Sequence, residues 1–220
     1  MEKGTKKRIL DVAIRCFNER GYSNVSLQDL ARELSISRGN LAYHFPAKEG
    51  LLNTIFTQLK DKLEHERSIS RNLPSFTNLR QEIERYRAYQ EEYAFIFTDS
   101  RVMAIPEIRA ALREMSSATI ADNKAAIGFA IQVGNMRPEP FPGVYHQLAF
   151  TTWMLIFFWL PQKLLRGEVT AETAEKAVWS MIIPHFTDKG IAVFKKYFGE
   201  NFLEDLGPAF HINPDDVMLF

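Results

Sequence analysis

An all-α fold is predicted for this chain of 220 residues, and three observations predict it. Apolar residues recur at steps of three and four along most of the chain, the spacing of one helical face. No segment carries the strict apolar–polar alternation of a half-buried strand. Capping and stop residues stand where the periodic stretches begin and end. The expected architecture is a small N-terminal three-helix head over residues 1–50 and a larger helical body over 51–220.

The first helix is predicted over residues 5–20, with Ile9, Val12, Ala13, Cys16 and Phe17 inward and Gly21 as its C-cap. Next comes the stretch Ser26 to Lys48, SLQDLARELSISRGNLAYHFPAK, read as two short helices and a tight turn. Ser26 can cap the first, and Asp29 three residues on completes a capping-box pattern. Leu27, Leu30, Ala31 and Leu34 share one face. Ser35-Ile36-Ser37 is too short to be more than a turn, with Ile36 as the apolar plug between crossing helices. Ser37 can cap the second helix, whose inward face is Leu41 and Phe45. Pro46 ends it, since proline pushes the residue before it out of helical geometry.

The outward face of that second helix carries Arg38, Gly39 and Asn40, then Tyr43 and His44. A glycine inside a helix costs about 1 kcal/mol against alanine, so its presence fits a backbone that another surface must approach closely. Arg and Asn are the side chains suited to bidentate pairing with guanine and adenine edges. Two helices crossed at a short turn, with such a face on the second, describe a helix-turn-helix. Charge agrees in sign: residues 1–50 hold nine Lys/Arg against six Asp/Glu, a net +3, leaving −3 for the remainder of a chain with zero net charge. Thr5, Lys6, Lys7 and Arg8, at the first helix start, are candidates for contact with a phosphate backbone.

At these residues the chain resembles the tetracycline-repressor (TetR) family of bacterial transcription regulators. Ala13, Phe17 and Gly21 match the end of the family's first helix, and Tyr22 and Ser26 its lead into the second. Ser37-Arg38-Gly39-Asn40-Leu41-Ala42-Tyr43-His44-Phe45, then Lys48, follow its recognition-helix pattern. Ser35 stands where the family's turn usually has glycine, which asks for a slightly different turn, and Ala42 where it often has tyrosine. The resemblance covers roughly residues 6 to 56. It implies a DNA-binding surface of Ser26, Ser37, Arg38, Gly39, Asn40, Tyr43, His44 and Lys48. Arg38 and Asn40 would meet base edges, and Tyr43, His44 and Lys48 would clamp the backbone.

Beyond the head, a long helix is predicted from Lys48 to about Arg67, with Leu51, Leu52, Ile55, Phe56, Leu59 and Leu63 as its stripe. The stretch Ser68 to Asn78, with Pro74, reads as a loop. Residues 79–98 read as one helix. Pro106 opens a short segment to about Arg113, a longer helix follows to about Val133, and Gly134 to Gly143, with three prolines, forms a surface connection. Residues 144–166 and 171–198 are two further helices, kinked or broken by Pro161 and Pro184. The last twenty residues, with Pro208 and Pro214, read as irregular.

Those two C-terminal helices are apolar beyond one stripe and call for cover on more than one side. Trp153, Phe157, Leu160 and Leu164, with Val178, Met181, Ile182 and His185, form the stripes expected to pair with a second copy, as the resemblance implies. A self-complementary contact of that kind requires two-fold symmetry and hence a near-palindromic duplex site. The aromatics Tyr86, Tyr93, Phe97, Phe129 and Trp153 either line a cavity or fill a core. The resemblance favours a cavity for a small apolar effector.

Other chemistry is not indicated. His44, His65, His146, His185 and His211 lack metal-ligand spacing, and no phosphate-binding glycine loop or nucleophile motif occurs, so no catalytic residue, metal or cofactor is expected. His146 and His185 read as packing or interface histidines. Glu91-Glu92 and Asp215-Asp216 read as solvated pairs. Cys16, the one cysteine, reads as a buried thiol. No apolar signal segment opens the chain. The uncharged run Pro140 to Gln162 leaves only Leu148 to Leu160 strongly apolar, short of the ~20 residues a membrane span needs. A soluble cytoplasmic protein is expected. The leading expectation is a homodimeric, effector-responsive DNA-binding repressor. The alternatives are an all-helical enzyme or lipid-carrier body with a coincidental helix-turn-helix, and a DNA-binding regulator with no effector.

Overall fold

In the computed structural model, residues 2–70, 76–167 and 173–207 are described. They form twelve α-helices and three 3-10 segments, with no strand among them beyond an isolated bridge between Met136 and Phe186. Pro74, Pro208, His211, Pro214 and Asp215-Asp216 lie outside the described residues.

The head contains α1 (Glu2–Arg20), a 3-10 turn (Tyr22–Asn24), α2 (Leu27–Glu33) and α3 (Arg38–His44). From it runs α4 (Lys48–Ser70), three residues longer than expected. The body continues with α5 (Phe76–Glu92), α6 (Ala94–Thr98), α7 (Ser100–Met103) and α8 (Pro106–Gln132). It closes with α9 (Val144–Phe157), α10 (Trp159–Arg166), α11 (Ala174–Ile182), a 3-10 turn over Ile183–His185, α12 (Asp188–Phe198) and a 3-10 segment, Glu200–Leu206.

Three further departures from the sequence reading each have a structural reason. The helix expected over 79–98 breaks at Tyr93, where φ is −115° and ψ 40°. Asn18 of α1 fills that break: its amide donates to the Glu92 carbonyl at 2.8 Å, and its Oδ1 accepts from the Phe95 N–H at 3.1 Å. Conversely, no break occurs near Arg113, because α8 is continuous. Its hydroxyls turn back onto their own helix, Ser116 donating to the Arg113 carbonyl and Thr119 to that of Met115, so they do not compete for the chain's direction. The C-terminal pair bends by 57° at Phe158 rather than at Pro161, which sits in the first turn of α10 where its missing N–H has no helical partner to lose. The buried amide of Gln90 spans this bend, donating to the carbonyls of Ile156 and Phe157 at 2.8 Å each and accepting from Leu160 N–H at 3.3 Å. Among the described residues no single helix is long and apolar enough to cross a membrane.

One apolar cluster runs from Ile9 and Phe17 of α1 through Leu51, Leu52 and Ile55 of α4 to Phe95, Ile96 and Phe97 of α6 and Phe157 of α9. The division expected at residue 50 therefore falls inside α4, whose next turn is already core for both halves. A second cluster gathers Trp179, Phe186 and Phe194 with Met136, Tyr145 and Leu148. There α12 closes onto the turn after α8. Thr187 caps α12 and donates to the Gly134 carbonyl at 2.7 Å, and Gly190 lies so close that a Cβ would stand 2.0 Å from the Asn135 carbonyl oxygen.

Candidate nucleic-acid interface and effector cavity

The head builds its outer face from two capped helices. Ser26 Oγ accepts from Asp29 N–H at 3.2 Å while Asp29 Oδ2 accepts from Ser26 N–H at 3.0 Å, a complete capping box. These bonds hold the Asp29 carboxyl below its usual pKa. The turn after α2 hydrogen-bonds Ile36 N–H to the Ala31 carbonyl and Ser35 N–H to that of Arg32. This double closure places Ser35 at φ 55°, the left-handed site that glycine ordinarily fills. The turn is thus not a different one, as expected of serine there; it is the glycine turn with serine strained into it.

Ser37 accepts from Asn40 N–H at 3.1 Å and starts α3. Leu41 is buried and Phe45 seals the helix end, while Ser37, Arg38, Gly39 and Asn40 are exposed and Tyr43 is 75% exposed. A Cβ on Gly39 would meet only the Ser37 hydroxyl at 3.9 Å, so the chain's own packing does not demand glycine. Four neighbouring positions on the leading turns of α3 therefore project outward together. His44 is half-buried beside Tyr43, ring centroids 5.2 Å apart.

Two basic residues lie elsewhere than expected. Lys48 turns inward: its ammonium donates to the carbonyls of Tyr22 at 2.7 Å and Val25 at 2.8 Å and sits 4.1 Å from the centre of the Tyr22 ring. Burial lowers its pKa. Geometry makes it a tie between α4 and the turn before α2, not an outward phosphate clamp. Arg8 donates to the Leu34 carbonyl at 2.8 Å, closing the end of α2. Lys6 and Lys7 remain exposed.

Two cavities of the body, lined by described residues, bear on the expected effector site. The smaller, about 100 Å³, is lined by Tyr86, Trp153 and Phe157. The larger, about 340 Å³, is walled by Phe76, Leu79, Phe129, Met136, Leu148 and Phe186. Of the five aromatics expected to share one cavity, Tyr86 and Trp153 thus face one, Phe129 the other, and Tyr93 and Phe97 neither. The break at Tyr93 is the cause. It rotates α6 so that Phe97 is buried against Tyr86 and Phe157, and leaves the Tyr93 hydroxyl accepting from Lys62 at 2.8 Å.

Polar residues that periodicity did not single out line these cavities. Arg67 and Glu82 border both, and Asp122 the larger. Arg67 Nε donates to Asp122 Oδ2 at 2.6 Å, while its Nη2 is buried with no hydrogen-bond partner among the described residues. Burial, reinforced by the Asp122 charge, raises the Glu82 pKa; Arg67 and Arg85 oppose that rise. The signal was in the stripes: Arg67 continues Leu59 and Leu63 at steps of four, and Glu82 lies between Leu79 and Tyr86.

The expected pairing stripes divide by burial. Phe157, Leu160 and Val178 are buried within the chain, Trp153, Met181, Ile182 and His185 are half-buried, and Leu164 is exposed. His185 stacks edge-on against Tyr145, and burial lowers its pKa. The apolar side chains left exposed on α9 and α10 are instead Phe150, Met154, Phe158, Leu164 and Leu165. The 57° bend shifts which residues face out, so a stripe carried straight through it lands on the core. Among the described residues no cluster of three or more His, Cys, Asp or Glu is placed to hold a metal.

Residues 9–55 match the family model for bacterial regulatory proteins of the tetR family. The chain is 37% identical over 60 residues to the uncharacterized HTH-type transcriptional regulator YuxN of Bacillus subtilis (strain 168), covering 27% of this chain and about a fifth (21%) of that relative. Over 200 residues it is 23% identical to the HTH-type transcriptional repressor KstR2 of Rhodococcus jostii (strain RHA1), covering 83% of this chain and 91% of that one. A TetR-family transcriptional regulator from Marinobacter aquaeolei VT8 shares the fold, with a TM-score of 0.74 at 22% identity over 88% of this chain and 98% of its own. The helix-turn-helix segment thus lies inside the region matched to the tetR family, and the helical body shares its fold with a TetR-family structure.

Proposed function

We propose that this protein is a homodimeric, sequence-specific DNA-binding regulator of transcription that represses from a near-palindromic double-stranded operator and is released by a small apolar effector. One observation carries the DNA-binding reading: Arg38, Gly39 and Asn40 project together from a capped helix whose own packing leaves the glycine position open. The larger cavity, within the size range of small-molecule sites, supports an effector over a filled core. Exposed Phe150, Met154 and Phe158 support self-association through α9 and α10. Repression follows the name of the Rhodococcus relative. The protein acts by binding rather than by catalysis, uses no cofactor, and works in the cytoplasm where its operator is.

Fluorescence anisotropy with DNA flanking the gene tests this reading. Arg38→Ala is expected to cost about 1–3 kcal/mol of operator affinity and to relax selectivity at one base pair. Unchanged affinity and selectivity in that variant would remove Arg38 from the interface.

A further inference from the structure

Among the described residues, the polar end of the larger cavity holds an ion pair and a buried guanidinium donor without an acceptor. Among the described residues that line it, Arg67 pairs with Asp122 at 2.6 Å. Glu82 borders the same space, and burial with the nearby Asp122 charge holds it toward its neutral form. Beside that pair lies a donor: Arg67 Nη2 is buried and has no acceptor among the described residues. A buried polar group left in that condition is destabilising, the more so when it is charged. An acceptor arriving in the cavity removes this cost. A second full charge of either sign adds the cost of burying it without a counter-ion.

We propose that the cavity takes an uncharged, mainly apolar molecule whose carbonyl oxygen accepts from Arg67, an ester, ketone or amide rather than a carboxylate or an amine. The proposal rests on the ligand-responsive reading given above. Apolar walls at Leu79, Phe129 and Leu148 accept the rest of the molecule. A carbonyl on Nη2 leaves the Nε bond to Asp122 in place, so the ligand adds to an existing tie. Arg67 lies on the same continuous helix, α4, that begins at Lys48 in the head. The ligand is therefore seated at a contact between α8 and the helix that carries the head, where its binding can bias the angle between them.

Calorimetry on the full chain with methyl octanoate, octanoate and octylamine tests the selectivity. Methyl octanoate should bind at least about tenfold more tightly than the other two, the equivalent of about 1.4 kcal/mol, one hydrogen bond to a charged donor without a charge penalty. Asp122→Asn combined with Glu82→Gln leaves the shape of the cavity nearly unchanged and strips Arg67 of both carboxylates that border the cavity with it. In that variant the preference should invert toward octanoate, a reversal that mere loss of structure does not produce. Arg67→Gln should lose the ester preference while still binding operator DNA. Tighter binding of octanoate to the wild type, tighter binding of octylamine, or an Asp122→Asn/Glu82→Gln variant with the wild-type order each overturns the proposal. If operator DNA is bound and none of the three probes is, the carbonyl-ligand proposal fails and the DNA-binding reading stands. Absence of operator binding in the unliganded wild type instead fails the regulator reading itself.

Discussion

Gly39 sits in the first turn of α3, where an added Cβ would make only an ordinary contact, 3.9 Å from the Ser37 hydroxyl. Alanine there should stabilise the helix by up to about 1 kcal/mol. If a DNA backbone or base edge packs on that turn, the same methyl group should weaken operator binding. Gly39→Ala is therefore expected to raise the thermal midpoint and lower DNA affinity together; a stabilised variant with undiminished affinity would place the duplex elsewhere. Lys48 makes the opposite case. Its ammonium satisfies two carbonyls from inside the fold, so Lys48→Met should cost about 1–3 kcal/mol of stability through the unpaired acceptors. The salt dependence of DNA binding should stay as it is, because no phosphate contact is lost. A salt slope reduced by about one would restore the phosphate clamp. Sequence spacing places both residues on their helices and both caps at their starts. It does not reveal where a four-carbon lysine stem points, since that depends on carbonyls 23 and 26 residues away.

Helix ends were legible wherever the stop signal is local. Ser26, Ser37 and Pro106 open helices as their chemistry dictates. Breaks filled from afar were not: Asn18 serves the Tyr93 break from 77 residues away and Gln90 the Phe158 bend from 66 or more. Both breaks redirect aromatic side chains, which is why the cavity and pairing residues read from straight stripes were partly displaced into the core. The closure of α12 onto the turn after α8 depends in the same way on a distant neighbour. Gly190→Ala would drive a methyl group into the Asn135 carbonyl, 2.0 Å away, and should cost about 3 kcal/mol as overpacking. Its control is Gly50→Ala, in α4 with nothing within 4 Å, which should be neutral or slightly stabilising. Thermal unfolding separates the two; equal midpoints would mean that the α12 contact yields without cost.

At the scale of the whole molecule, self-association and DNA geometry are one question. Two heads on a two-fold axis must present their α3 helices about 34–36 Å apart, or a near multiple, to meet successive major grooves. Met154→Glu, on an exposed position of α9, is expected to give folded monomers with weakened operator binding, visible by sedimentation at micromolar concentration. Phe157→Glu, by contrast, should unfold the chain, since that ring packs on Tyr86, Phe97 and Trp153. A Met154→Glu protein that remains dimeric would move the interface off this face. The fold class and the head were readable because their signals are periodic and short-ranged, whereas the assembly face depends on the angle at one bend. The apolar cluster that passes without a gap from Phe17 through Ile55 to Phe95 has a consequence for engineering. Heads of such regulators are attractive as interchangeable cassettes for building sensors. Here the cassette has no seam at residue 50. A chimera that grafts this head onto a foreign body must bring a partner for the Asn18 amide and a ring to meet Phe17, or it will inherit a reading surface without the floor that holds it flat.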